Sequence, residues 1–430
     1  MTGTESGRPS SRAMQRTIMA DYFASLERAK AEGRRVVYTF VPGNLTELIL
    51  SFDLLPVYPE INALQSAIRK RSMDHIHRAE RYGHSEDVCT YVKCDIGMML
   101  SGNIGPTGRP LPPPDLLLLS YTGCFTFMKW FENLRSLYGC PAVMLHIPYQ
   151  ADGVVTEAMV AYVVRQLRDE VIPALERVAG RPYDPGRIEG MCELAARAEG
   201  LFVDCLESAK QVPSPIDGFF GGVSYIAPIF TAFRGTQAAV DYYERLALEI
   251  EERRQGKRGP LTLEGSLQDE RYRLVVEGPP DWTHFTELWK MFYLRGAVAV
   301  ASSYTRVGGV FDLGFRHDPE RPLESFARYC LGCYTNLSIP QRVELLCRWV
   351  REYRADGFLV NSIKSCNSFS AGQLLIMEEV GRRTGVPVGM IESDLVDARY
   401  FSSANIKNRL DGYFQMIDER RKADGRRHGD

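Results

Sequence analysis

The chain has 430 residues, of which 45% are hydrophobic and 25% charged, with a formal net charge of -2. That is the balance of a folded protein with apolar material for two α/β domains and extra helices, and its near-neutral charge argues against nucleic-acid or membrane-surface binding driven by electrostatics. No apolar run approaches the roughly 18–20 residues that span a bilayer, and the N-terminal MTGTESGRPSSRAMQ holds no apolar signal segment, so a cytoplasmic protein without membrane contact is expected.

Residues 1–15, rich in Ser, Gly and Arg, are predicted to be a disordered tail, followed by a helix over 16–32. RVVYTFV (35–41) reads as a strand closed by Pro42-Gly43, then an amphipathic stretch, NLTELILSFD, and a short strand, LLPVYP. DLLLLSY (115–121), bounded by LPPPD, reads as a buried parallel strand. FTFMKWFENLRSLYG has helical spacing and stops at a Gly, and PAVMLHIP (141–148) is again a strand. This strand–helix–strand run is a βαβ signature. Helices are expected over 153–180 and 185–210, the Pro/Gly-rich QVPSPIDGFFGGVSYIAPIF as a junction, and a helix with a charged, solvated face over 235–257.

A second alternation begins near residue 270. RYRLVVEGP, AVAVASSY, GFLVNSI (357–363) and VPVGMIESD (386–394) read as strands. DWTHFTELWKMFYLRG, SIPQRVELLCRWVREYRADG and SFSAGQLLIMEEVGRRTG read as helices, the second with Ser338 as its cap and Pro340 in its first turn. The chain therefore divides into an α/β domain with a helical extension (16–215), a second α/β domain with linking helices (216–418) and a charged tail (419–430). Ligands of such sheets sit beyond the carboxyl ends of the strands.

Ten cysteines need explaining. Without a signal segment, disulfides are the weaker explanation, and a free Cys is most often a small buried hydrophobe. Cys124 and Cys366 fall at the carboxyl edge, each after a strand and before a helix, and Cys89 lies near the start of another helix. A helix N-terminus favours the thiolate, the metal-binding form. Three thiolates can hold three irons of a [4Fe–4S] cubane and leave the fourth iron open. The spacing is no compact ferredoxin motif, so core thiols remain the competing reading. Cys94 is a possible additional ligand; the lone CxxC of Cys330 and Cys333 lacks the second pair of a zinc ribbon and reads as structural. Cys140, Cys192, Cys205 and Cys347 read as packing.

DVCTYVKCDIGMM, PPPDLLLLSYTGC, FRGTQAAVDYYERL, and DGFLVNSIKSCNSFSAGQ continuing into GVPVGMIESDLVDARYFSSANIKNRLDGYFQMI carry a resemblance. They resemble the 2-hydroxyacyl-CoA dehydratase / benzoyl-CoA reductase family, over about residues 30–418, and most nearly its B-type subunits of ATP-dependent benzoyl-CoA reductase. The resemblance implies two Rossmann-like domains with parallel sheets and a [4Fe–4S] cluster between them, held motif by motif by Cys89, Cys124 and Cys366. It implies low-potential electron transfer to an aromatic acyl-CoA, benzoyl-CoA being favoured, with a cyclic dienoyl-CoA as product. It also implies a homologous cluster-bearing subunit, ATP-hydrolysing iron–sulfur activator subunits and ferredoxin as upstream donor. ATP is then bound by a separate chain, in keeping with the lack of a GxxxxGK[ST] loop; GNIGPTG (102–108) reads as a turn. The competing readings are a 2-hydroxyacyl-CoA dehydratase component, a family member carrying a fused double-cubane cluster, and a non-catalytic electron-relay or scaffold subunit.

Proton donors are sought at strand ends, where His146, Tyr149, Glu392 and Asp394 stand, with His146, Glu392 and Asp394 as the catalytic candidates. The plain alternative for Glu392, Asp394 and Asp397 is capping and loop hydrogen bonding. Lys364, beside Cys366, is a candidate donor to cluster sulfide or CoA phosphate, while no local run of basic residues marks a phosphate site.

Overall fold

A computed structural model of the chain describes residues 9–151, 153–256, 259–261, 269–307 and 311–425. Apolar runs become strands where both faces find cover. In β3 (Leu116–Tyr121), Leu117 and Leu119 enter one apolar cluster and Leu116 and Leu118 enter another on the opposite face. With β1 (Val36–Thr39), β2 (Leu55–Val57) and β4 (Ala142–His146) it forms a parallel sheet in the order β2-β1-β3-β4. The second sheet comprises β5 (Tyr272–Glu277), β6 (Ala297–Ser302), β7 (Gly357–Ile363) and β8 (Val388–Ser393), also parallel, in the order β6-β5-β7-β8. The two orders are the same pattern. In each sheet the chain first moves to one side of its leading strand and then returns to the other, so a switch point opens beside β1 and β3 and beside β5 and β7.

The sheets share a core. Tyr38 and Leu117 of the first sheet and Leu274 and Leu359 of the second belong to one buried cluster, while Val275, Phe358 and Val360 face a separate one. This is the α/β architecture with additional helices that the alternation of elements predicts, in the form of the two Rossmann-like units that the resemblance implies. Ser338 starts the helix Ile339–Glu352 as expected, its N–H donating to Gln341 Oε1 at 2.9 Å.

Local structure departs from expectation where tertiary burial outweighs composition. The first helix is Ser11–Arg28, so residues 11–15 are helical rather than tail; Ser10 caps it, and the Ser11 N–H donates to Glu249 Oε1 at 2.8 Å. The expected tail before residue 9 lies outside the described residues. At the other end, the helix Ser403–Ala423 runs into the expected charged tail, anchored by buried Tyr413, Phe414 and Ile417. The Pro/Gly-rich junction is largely helical up to the end of the helix Ala227–Phe233, because Phe219, Phe220, Ile226, Ile229 and Phe230 are buried. The helix expected over SFSAGQLLIMEEVGRRTG divides into Asn367–Ser370 and Gln373–Thr384. Helices Pro59–Ile68, Ser72–Tyr82 and Pro322–Leu331 have no counterpart in the sequence reading.

Candidate active site

Cys124 follows β3 and Cys366 follows β7, the equivalent strands of the two sheets. Each is the residue at which a helix begins: Phe125–Tyr138 after Cys124, Asn367–Ser370 after Cys366, and Thr90–Met99 after Cys89. All three cysteines line one small cavity. Pro42, beyond β1, and Pro279, beyond β5, line it too, so the carboxyl edges of both sheets meet there.

The approach to Cys124 is fixed by Gly123. Its φ is +84°, and a Cβ at this position would lie 2.4 Å from the Thr335 carbonyl oxygen, so both conformation and space call for glycine. The other two loops are joined by Asp394. Its Oδ1 accepts from Thr90 Oγ1 at 2.5 Å and its Oδ2 from the Ser365 N–H at 2.9 Å, which secures the neighbours of Cys89 and Cys366.

Burial pushes all three thiols up: Cys366 to about 12, Cys89 well above the ordinary thiol range, and Cys124 in the same direction. The negative charge each would place near the next adds to the rise, with Cys366 and Cys124 acting on Cys89 and Cys124 acting on Cys366. Backbone N–H groups two and three positions on pull the other way: Tyr91 and Val92 for Cys89, Thr126 and Phe127 for Cys124, Ser368 and Phe369 for Cys366. None closes into a capping hydrogen bond, so this is an electrostatic effect of the helix starts. The cavity thus presents three thiols whose burial favours the neutral form, each already facing donors that favour its anion.

A second, larger cavity of about 660 Å³ adjoins the first. Val41, Glu60, Tyr304 and Val307 line both. Trp282 and Phe285 contribute aromatic surface to the larger one, and Arg12, Lys70 and Lys290 bring positive charge from three separate helices or their ends. Glu60 is 3% exposed; its Oε1 accepts from the Val41 N–H at 2.9 Å, and its Oε2 has no hydrogen-bond partner among the described residues. Burial pushes its carboxyl up to about 8, the Val41 N–H offsets part of that, and nearby Asp95 adds to it. A neutral carboxylic acid therefore stands on the wall between the cavities.

The structure brings Cys89, Cys124 and Cys366 together, and places the proton-donor candidates elsewhere. His146 lies exposed on the edge strand β4, its ring nitrogen Nδ1 3.3 Å from the Tyr162 hydroxyl. Glu392 lines a different, polar cavity of about 290 Å³ with Lys364 and pairs with Arg409 at 2.7 Å. Asp394 is committed to the two loops, and Asp397 to the Arg399 N–H and guanidinium. None of the four lines either cavity at the thiols. Tyr149 is exposed and Cys94 is buried away from the cavity. Cys330 and Cys333 are buried packing, as read, whereas Cys140 is only half-buried. Glu60 escaped the sequence reading because it opens a helix that reading did not find; the Pro at the head of that helix, Pro59, was the available signal.

The model of the family described as 2-hydroxyglutaryl-CoA dehydratase, D-component, matches residues 39–417. The chain is 60% identical over 420 residues to the B-type subunit of benzoyl-CoA reductase from Thauera aromatica, covering 98% of this chain and 97% of that protein. It is 27% identical over 408 residues to the (R)-2-hydroxyisocaproyl-CoA dehydratase alpha subunit of Clostridioides difficile, covering 94% and 95%, and 26% identical over 378 residues to the (R)-phenyllactyl-CoA dehydratase alpha subunit of Clostridium sporogenes, covering 88% of each.

Proposed function

The chain belongs to the 2-hydroxyglutaryl-CoA dehydratase D-component family, and we propose, on that premise, that it is the iron–sulfur subunit of an ATP-dependent benzoyl-CoA reductase. The net reaction adds two electrons and two protons to the ring of an aromatic acyl-CoA and yields a cyclic dienoyl-CoA. The observation that carries this reading is the common wall: a three-thiol cavity and an aromatic-lined cavity of about 660 Å³ meet across Glu60 and Tyr304. The benzoyl-CoA reductase relative from Thauera aromatica supports the ring-reducing branch.

Cys89, Cys124 and Cys366 fit a [4Fe–4S] cluster in number, in their shared cavity and in the helix N–H groups that favour their anions. Among the described residues no three His, Cys, Asp or Glu side chains converge on a single metal ion; cubane ligands bind different irons, so a cubane does not require it. When bound there, the cluster supplies single electrons at low potential.

The chain's own residues do the rest. Phe127 and Phe369 wall the thiol cavity with apolar surface and keep water from the electron path. Glu60 holds a proton at Oε2 and donates it as one of the two protons that the ring takes up, the role expected from sequence at His146, Glu392 and Asp394. Arg12, Lys70 and Lys290 receive the phosphates of CoA. Asp394 keeps two of the cysteine loops in register. A homologous subunit, an ATP-hydrolysing activator and an upstream ferredoxin complete the cytoplasmic system in this reading. No described helix is long and apolar enough to cross a membrane.

The test is the assembled complex, prepared anaerobically and given activator and ATP. Conversion of benzoyl-CoA to a dienoyl-CoA is the expected result. Water release from a 2-hydroxyacyl-CoA, with benzoyl-CoA untouched, would replace the reductase reading with a dehydratase component.

A further inference from the structure

Of the four residues common to both cavities, two are valines, one is the acid Glu60, and the fourth is Tyr304. The Tyr304 hydroxyl ends a chain of hydrogen bonds. Trp282 Nε1 donates to the Tyr91 hydroxyl at 2.6 Å, and the Tyr91 and Tyr304 hydroxyls are 3.1 Å apart. An indole N–H can only donate, so the Tyr91 oxygen is an acceptor. Accepting that bond makes Tyr91 the better donor toward Tyr304. The Tyr304 hydrogen is then left over. Tyr91 is its one hydrogen-bonding partner given among the described residues, so with Tyr91 as donor this hydrogen is free for a ligand, and the ring that carries it faces both cavities.

We propose that Tyr304 donates this hydrogen bond to the thioester carbonyl oxygen of the bound acyl-CoA, with Trp282 and Tyr91 as positioning residues that orient and polarise it. The inference rests on the acyl-CoA reading above. As electrons enter the ring of an aromatic thioester, part of the added charge is delocalised onto the carbonyl oxygen conjugated with it. The ring and its carbonyl are adjacent in the substrate, as Glu60 and Tyr304 are both parts of one wall. Glu60 supplies the proton to carbon; Tyr304 supplies the fixed donor to oxygen. In a site closed to water such a donor acts with little reorganisation. Burial holds the Tyr304 phenol above its ordinary range, so it stays protonated and remains a donor.

The bond formed is a hydrogen bond only; no proton or electron leaves Tyr304. Its signature is therefore visible before turnover. In the assembled complex, benzoyl-CoA labelled with carbon-13 at the thioester carbonyl is expected to show its infrared carbonyl band at lower frequency than in water. Tyr304→Phe, which keeps the ring and its packing, returns the band upward and lowers kcat by about 100- to 1000-fold with KM little changed. Iron content stays that of the parent. Tyr91→Phe leaves the donor but not its polarising partner and gives a smaller band shift. An unmoved band and unchanged kcat in a Tyr304→Phe complex that still reduces benzoyl-CoA overturn the inference and leave the proposed function standing. A parent complex that binds no benzoyl-CoA overturns both.

Discussion

Asp394 accepts a hydrogen bond from the Thr90 hydroxyl at 2.5 Å across 304 positions of sequence. Its other oxygen holds the Ser365 N–H at 2.9 Å. One buried carboxylate thereby joins the residue after Cys89 to the residue before Cys366.

Asp394→Ala should strand both donors in a buried site, at a cost of about 1–3 kcal/mol for each. The expected outcome is a lower urea midpoint and less iron per chain in anaerobic preparations. Asp394→Asn, which preserves shape and at least one acceptor, should lose less of both. Parental stability and iron in Asp394→Ala would remove the clamp from the account.

Replacement of the cysteines should divide them sharply. The assembled parent should hold about four iron and four sulfide per cluster. Cys366→Ala, Cys124→Ala and Cys89→Ala should each lose or cripple that cluster, whereas Cys94→Ala, buried away from the cavity, should retain it. Full iron and activity in Cys366→Ala would sink the ligand assignment.

Glu60→Gln retains a side-chain oxygen for the Val41 N–H, which Glu60 Oε1 accepts at 2.9 Å, and removes the acid. Its kcat should fall by about 100- to 10,000-fold, with benzoyl-CoA binding preserved. Steady-state kinetics on the complex check this; a fall in KM-controlled binding alone would assign Glu60 to the substrate cavity's shape and not to proton transfer.

His317 sets a pH dependence of stability. It is buried between two carboxylates, with Nε2 3.0 Å from Glu47 Oε1 and Nδ1 3.2 Å from Glu199 Oε2, while Arg234 Nε pairs with the same Glu47 at 2.6 Å. Burial alone would lower its pKa, but Glu199 and then Glu47 push it up to about 9. An unfolded histidine titrates near about 6.5. The stabilisation is thus complete below about pH 6.5 and is lost as pH rises through about 9. His317→Leu should cost about 3–5 kcal/mol at pH 6, and less at pH 9.5. Urea midpoints of parent and variant at the two pH values decide it: an equal difference at both would show that the imidazolium is not the stabilising form.

Much of the fold was legible in sequence because strands announce themselves locally. GFLVNSI reads as a strand over 357–363, and the structure holds β7 over those residues. DLLLLSY gives β3 in the same way, since residues buried on both faces of a parallel strand form a continuous apolar run. Cys124 and Cys366 were visible for the same reason: each follows such a run and precedes a helix. The helices Pro59–Ile68 and Ser403–Ala423 were not legible, nor was the helical part of the Pro/Gly-rich junction, because their stability comes from burial against distant elements.

By itself, then, the sequence determined the two alternating α/β units, the strand-end position of Cys124 and Cys366 and the family. Only the tertiary structure decided which side chains share the site. Glu60, Tyr91, Trp282 and Tyr304 belong to segments far apart in the chain, and their common cavities exist only once the carboxyl edges of both sheets meet. His146 and Glu392 show the converse: a strand end is a local property, but His146 lies on an exposed outer edge and Glu392 lines a different cavity. Period and spacing record which face of an element is buried; they do not record what the opposite element brings to meet it.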